Sequence, residues 1–591
     1  MNPLSKRLIV IGTTTVAVAL ALWAAVPTTA HKQVLAADLP PGALLTIESP
    51  DFAGLLHTWN ASSEQAAWLK SANYSAFANS HLFGRLADAQ GEFEGVAENK
   101  AGLSSEFLKQ VAGKESIFAW YDISRLEFLY ISHLPAGQTA RVDLLQQRGK
   151  FSRRESGGDS FYVKTSSSSG GDDAGPSSPR TVAFATRGDW LILGTREDLV
   201  ANTLLLMQQQ ETGKDPQSSE AAEGWYSATE TAGPAKHGDL HMLLDLHRIA
   251  ETPAFETYWV PRNVTETYQY RAAVVDLYRE SHSFREERVL LPNSAADDSA
   301  TQPDLAAVEA LVPARAGVYR AIAFPDPKDA LATLDEKVIT RSTTSVSTST
   351  DAPAADLSVE RPGSQSDLET RIDSISPKPE PASAATAPLL ATLQAANVSS
   401  LLTIDRTDPS AAGGLFVPIR SAVVLRSTNP WDSNQLQAAL LTALRPHLTI
   451  GGLGLAWTPA GEGYLSLGAT HPFVLFVDGD TAILANDATL MNDILARRKA
   501  STTTPQPATL IAGFRHAQER ADFGRLTASL GYTNTPAKTG PAPDAGQSPD
   551  FFNASVGSLS NAFRALSTER LVQRRDGPFT HQTVVYTWQT P

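Results

Sequence analysis

Apolar residues recur along this chain at two spacings: the three-to-four-residue step of a helix, and the two-residue step or short solid run of a strand. Residues 43–47 form an apolar run of strand length. Pro50-Asp51 then opens a helix whose Phe52, Leu55, Leu56 and Trp59 share one stripe. Ser62 with Gln65 has the form of a capping box for a helix carrying Ala66, Trp68 and Leu69, and Tyr74, Phe77, Leu82, Phe83 and Leu86 continue the pattern. At this spacing the aromatics read as core rather than as a binding stripe. Further on, the pattern predicts a short helix at 107–111, strands at 117–123 and 128–132, a helix at 142–147 and a strand at 160–164. A hairpin over 182–193, turning at Arg187-Gly188-Asp189, leads into a helix at 197–208 with acidic residues at its start.

This order repeats. The hairpin through Gly188-Asp189, with Leu199 and Leu204 after it, aligns without gaps on a stretch through Gly479-Asp480 with Leu490 and Leu495 after it. Ile47, Pro50, Asp51 and Leu56 align on Ile322, Pro325, Asp326 and Leu331, and Leu39-Pro40 has a counterpart in Val312-Pro313. Each copy ends in a late strand, at 240–246 and 509–514, and a closing hairpin, at 272–291 and 571–588. The fold reading is therefore α+β: two tandem related domains, each a mixed or antiparallel sheet with packed helices, at 37–292 and 311–591, with a linker at 293–310. Ser, Thr, Pro, Ala and Asp dominate about 340–387, which reads as a disordered insertion because it has too little apolar surface to offset its ordering entropy. The stretches 211–237, 293–304, 501–507 and 533–550 have a similar composition and read as long loops.

The N-terminus departs from this pattern. Lys6 and Arg7 precede an uncharged run over 8–26, roughly the length that crosses a bilayer, so residues 1–36 read as a transmembrane anchor or a signal peptide. Small-residue cleavage sites end at Ala30 and Ala36. The chain has no cysteine, which removes disulfides, thiolate metal sites and cysteine nucleophiles from consideration. Apolar residues make up 42% of the 591, enough to build cores without covalent help. The net charge of −14, with no run of Lys and Arg that marks a basic patch, argues against a nucleic-acid partner.

No nucleophile elbow, HExxH pair or phosphate-binding loop is present. Gly451-Gly452-Leu453-Gly454 lacks the spacing of a dinucleotide fingerprint and reads as a turn. Asp478-Gly479-Asp480 reads as a type I′ hairpin turn rather than a calcium loop. The densest group of ligand-type residues is His237, Asp239, His241, Asp245 and His247. On a continuous strand His241, Asp245 and His247 would share a face, where Asp245 and His247 could ligate a divalent ion or act as a base and its orienter. The group reads instead as a strand end with solvated polar residues, since the second copy has no such cluster, and no catalytic, cofactor or metal residue is assigned.

The Pro50-Asp51 helix start, Trp59, Ser62, Trp68, Tyr74, Phe77, Ser80 and the Gly188-Asp189 hairpin resemble an uncharacterised domain family of exported bacterial proteins, seen in acidobacteria and cyanobacteria. The resemblance implies an envelope location and a duplicated α+β body, and it carries no catalytic residue. The chain thus reads as an envelope protein, anchored in the inner membrane and facing the periplasm, or periplasmic or secreted once its leader is removed. It touches the membrane through that helix alone. Its role is expected to be binding or scaffolding of an envelope protein, a lipid or a polymer, without a cofactor. The alternative is an extracytoplasmic hydrolase with an unrecognised site.

Overall fold

The computed structural model describes residues 35–62, 105–122, 125–166, 180–213, 218–251, 269–280, 283–293, 302–339, 385–407, 419–448, 455–467, 473–500, 505–516 and 566–588, with isolated positions between 65 and 93 and at 518. The N-terminal apolar run, positions 340–384 of the insertion and Gly451–Gly454 lie outside the described residues. Among the described residues no helix is long and apolar enough to cross a membrane.

The chain forms two compact units, Met1–Asp298 with Phe523–Ser567 and Asp576–Pro591, and Ser299–Asp522 with Thr568–Arg575. In the first unit the strands are β1 (Leu45–Ser49), β2 (Ser116–Asp122), β3 (Glu127–His133), β4 (Ser152–Ser156), β5 (Asp159–Ser166), β6 (Arg180–Arg187), β7 (Trp190–Gly194), β8 (Leu240–Leu244), β9 (Tyr270–Arg279) and β10 (Ser283–Pro292). They pair antiparallel in the order β4–β5–β6–β7–β3–β2–β1–β8–β9–β10. The second series comprises β11 (Val318–Ala323), β12 (Val398–Thr407), β13 (Ile419–Ser427), β14 (Trp457–Ala460), β15 (Tyr464–Leu467), β16 (Phe473–Asp478), β17 (Thr481–Ala485), β18 (Leu510–Arg515) and β19 (Leu566–Asp576), then β20 (Phe579–Trp588). Its order is β14–β15–β16–β17–β13–β12–β11–β18–β19, the same strand for strand.

The expectation of two tandem domains, each with its own mixed or antiparallel sheet, is corrected. The twenty strands are hydrogen-bonded into one sheet, and every described pairing is antiparallel. The physical reason lies at β10. As the last strand of a separate domain it would leave a row of unpaired N–H and C=O groups. Instead β20 pairs with it over Ser283–Leu290, from nearly 300 residues away in sequence. Polar cross-strand contacts line this pair, with Thr583 donating to Glu287 at 2.7 Å and Tyr586 to Glu286 at 3.2 Å.

Helices pack on this sheet, and its central strands bury both faces. In β13, Val423 and Leu425 enter one core with Leu436, Leu440 and Leu444, while Ala422 and Val424 enter another with Leu490 and Ile494. Burial on both sides explains why these strands read as solid apolar runs rather than as alternating ones. In the first unit β3 divides likewise, Leu129 and Ile131 against Tyr130.

The local motifs have local causes. Helix α1 (Phe52–Ala61) begins at Asp51, whose carboxylate accepts the N–H of Gly54 at 3.1 Å, and it buries Leu55, Leu56 and Trp59. Asp326 caps α2 (Pro327–Leu334) in the same way, accepting the N–H of Lys328 at 2.8 Å. Gly188 and Gly479 hold the two-residue turns of β6–β7 and β16–β17 at φ +56° and +59°. Asp480 has no positive φ, so the turn is of type II′, not the expected I′, and glycine is needed at the first position alone. The stretch 211–237, expected to be a loop, contains an ordered helix and the buried Glu220 and Tyr226.

Candidate metal centre

The ordered part of 211–237 supplies the first ligand-type side chain. Helix α3 (Gly224–Ala232) buries Tyr226 and Thr229 against the sheet, and the Thr229 hydroxyl donates back to the Trp225 carbonyl at 2.6 Å. It ends at Gly233, followed by Pro234, which cannot continue it. Glu230 lies in its last turn. The chain then re-enters the sheet through His237 and Gly238 into β8. Gly238 lies so close to β9 that a Cβ there would sit 2.3 Å from the Leu277 carbonyl oxygen.

His241 on β8 is the direct cross-strand partner of Asp276 on β9, and of Glu48 on β1 at its other side. Directly opposed residues in an antiparallel pair share a face. His241 is 2% exposed and Asp276 fully buried. The imidazole Nδ1 lies 3.1 Å and 3.2 Å from the two Asp276 oxygens, and its Nε2 lies 2.8 Å from Glu230 Oε2. The other Glu230 oxygen lies 3.0 Å from His237 Nε2. The His237 and His241 rings stack, 3.7 Å between centroids and 9° from parallel. The backbone N–H of Gly238 donates to Asp276 Oδ1 at 2.6 Å, fixing that carboxylate from behind.

The result is a chain Asp276–His241–Glu230–His237 in which each imidazole meets a carboxylate. Burial opposes charge on Glu230, but hydrogen bonds from His237 and His241 outweigh it and hold the carboxyl far below its ordinary range. For His241 burial also works against the charged form. The hydrogen bonds to Asp276 and Glu230 overcome it and push the imidazole up to about 9. Without an ion, these hydrogen bonds between imidazoles and carboxylates hold the group together. With a proton exchanged for metal, one Glu230 oxygen and one nitrogen each of His237 and His241 are available, all within 4.8 Å of one another.

Two of the five histidines and aspartates grouped by the sequence, His237 and His241, belong to this cluster. The other three do not, because β8 ends at Leu244 and the two-residue periodicity stops there. Asp239 accepts the Arg279 N–H at 2.8 Å, and burial raises its carboxyl. Asp245 caps the short helix α4 (Leu246–Ala250), accepting the Arg248 N–H at 3.0 Å. His247 is exposed on that helix, 3.7 Å from Glu251. Sequence reasoning missed Glu230 and Asp276. Glu230 lay in a stretch set aside for its composition. Asp276 carried a usable signal, being the one acid within the apolar run 272–277.

No family model matches this chain, and no curated protein does. Among solved structures, crystal forms I and III of TP0453 align at 10% and 9% identity, each with a TM-score of 0.21. Each alignment covers 46% of this chain, and 83% and 84% of the two TP0453 chains.

Proposed function

We propose that this is an exported envelope protein that works by binding, and that Glu230, His237 and His241 form a site for a divalent cation. The membrane part of the reading rests on the apolar run behind Lys6 and Arg7. The binding part rests on one observation: three ligand-type side chains converge within 4.8 Å, with a second carboxylate, Asp276, behind one of them. Glu230 and His237 keep 28% and 17% of their side-chain surface exposed, which gives an ion a route from solvent. The larger ligand would be an envelope protein, a lipid or a polymer held on the same scaffold.

Equilibrium dialysis of the chelator-treated full-length protein against zinc chloride tests this reading. One ion per chain is expected, lost in the double variant Glu230→Ala/His237→Ala and kept in His247→Ala. A wild-type protein that takes up no ion overturns it.

Two histidines and a carboxylate are also the protein ligands of catalytic zinc sites, which favours a metal-dependent hydrolase as the second reading. Zinc-dependent ester or peptide cleavage that disappears in His237→Ala would mark it.

A further inference from the structure

We infer that the site selects zinc, or a close transition-metal analogue, over calcium and magnesium, and that Asp276 is its positioning residue, acting through His241; this rests on the metal-binding reading above. The donor set decides the class of ion. Calcium takes six to eight oxygen ligands and magnesium a near-octahedral oxygen shell with several waters. Glu230, His237 and His241 offer two imidazole nitrogens and one carboxylate, the mixture preferred by zinc and its neighbours.

The position of Asp276 gives the second half. A metal-bound imidazole typically donates its other N–H to a carboxylate, which fixes the tautomer and ring orientation and makes the bound nitrogen more basic. His241 has that arrangement already: Nδ1 faces both Asp276 oxygens, leaving Nε2 toward Glu230 and His237. Asp276 is itself held on the backbone by the Gly238 N–H. Its carboxylate lies on the Nδ1 side, opposite the nitrogen offered to the ion, so it touches no metal and works only through the ring.

The experiment uses the full-length protein, stripped with chelator and titrated with zinc against a chromophoric competitor. Zinc is expected to bind with one-to-one stoichiometry, while millimolar calcium and magnesium fail to displace it. Asp276→Asn keeps one oxygen that the Gly238 N–H and the imidazole N–H can share but removes the charge and the second acceptor, and it should weaken zinc binding by about 10–100-fold. In the cobalt-loaded protein the same variant should shift the visible absorption bands, which a merely structural role would leave in place. As a check on the wild type, long-range imidazole ¹H–¹⁵N spectra of the zinc form should show His241 protonated at Nδ1 and metal-bound at Nε2. Calcium competing as well as zinc would overturn the selectivity. An unchanged Asp276→Asn affinity, or zinc on His241 Nδ1, would overturn the role of Asp276. Wild-type protein that binds no metal at all fails the underlying reading instead.

Discussion

Glu220 accepts the backbone N–H of Ala43 at 2.9 Å, joining positions 177 residues apart at a fully buried site. A second buried acid holds the same N-terminal segment: Asp38 accepts the Gln210 amide at 2.6 Å. The remaining oxygen of each carboxyl has no hydrogen-bond partner among the described residues. Burial therefore raises both groups, each to about 7. In the unfolded chain they release their protons near 4, so between pH 4 and 7 the folded state holds more protons than the unfolded one. Stability contributed by these groups is full below that window and is lost as pH rises through it, by up to about 1.4 kcal/mol per pH unit for each. Urea unfolding at pH 5.0 and 7.5 should show wild type losing more stability across the interval than Glu220→Gln. Equal losses would refute this assignment.

The segment that Glu220 and Asp38 hold also constrains where the proposed leader can be cleaved. Leu35 and Ala36 are 1% and 0% exposed, in one core with Leu39, Ala43 and Tyr226. Cleavage after Ala36 would delete both from that core, whereas cleavage after Ala30 leaves them in place. A processed chain should therefore begin at or before Leu35, and Edman sequencing that reads from Ala37 would contradict this. Leu35→Ala in the full-length protein should cost about 2–5 kcal/mol, as other buried leucine truncations do.

What the sequence reveals follows the range of the interaction. Asp51, Asp326, Gly188 and Gly479 act on neighbours a few residues away, and each caps a helix or holds a turn where its local pattern places one, although the Gly479 turn is of type II′ rather than I′. The pairing of β20 with β10 joins positions nearly 300 residues apart, and nothing in either strand's composition names its partner. The candidate site shows the same division. His237 and His241 lie close together in sequence and stand out. Glu230 becomes a ligand-type residue only because α3 packs Tyr226 onto the sheet, and Asp276 only because the β8–β9 register sets it opposite His241.

Gly238 ties that register to the site. A methyl group there would meet the Leu277 carbonyl oxygen at 2.3 Å, and backbone cannot give way as a side-chain tip does. Gly238→Ala should cost about 1–3 kcal/mol in unfolding free energy, the range for forced overpacking. Because the Gly238 N–H also holds Asp276, the same change should weaken zinc binding, measured with the chromophoric competitor. Wild-type stability in this variant would show that the two strands can separate freely there.

In the second unit, Asp487 precedes α5 (Ala488–Ala500) and accepts the Leu490 N–H at 2.7 Å, a cap on the helix. The same carboxylate pairs with Arg420 at 2.8 Å and with the nearly buried Arg406 at 3.5 Å. Arg406 also meets Asp493 at 2.7 Å, but Asp493 is 43% exposed against 17% for Asp487. Exposure decides which partner matters, since water screens the Asp493 pair while the Asp487 pair has less of it to fall back on. Asp487→Ala removes a cap and a charge-assisted hydrogen bond, and should cost roughly 2–4 kcal/mol. Asp487→Asn, which can still cap, should cost less, and Asp493→Ala under about 1 kcal/mol. The ordering is read from urea unfolding midpoints of the three full-length variants. If Asp493→Ala proves as damaging as Asp487→Ala, then the shorter pair dominates despite its exposure, and the cap contributes little.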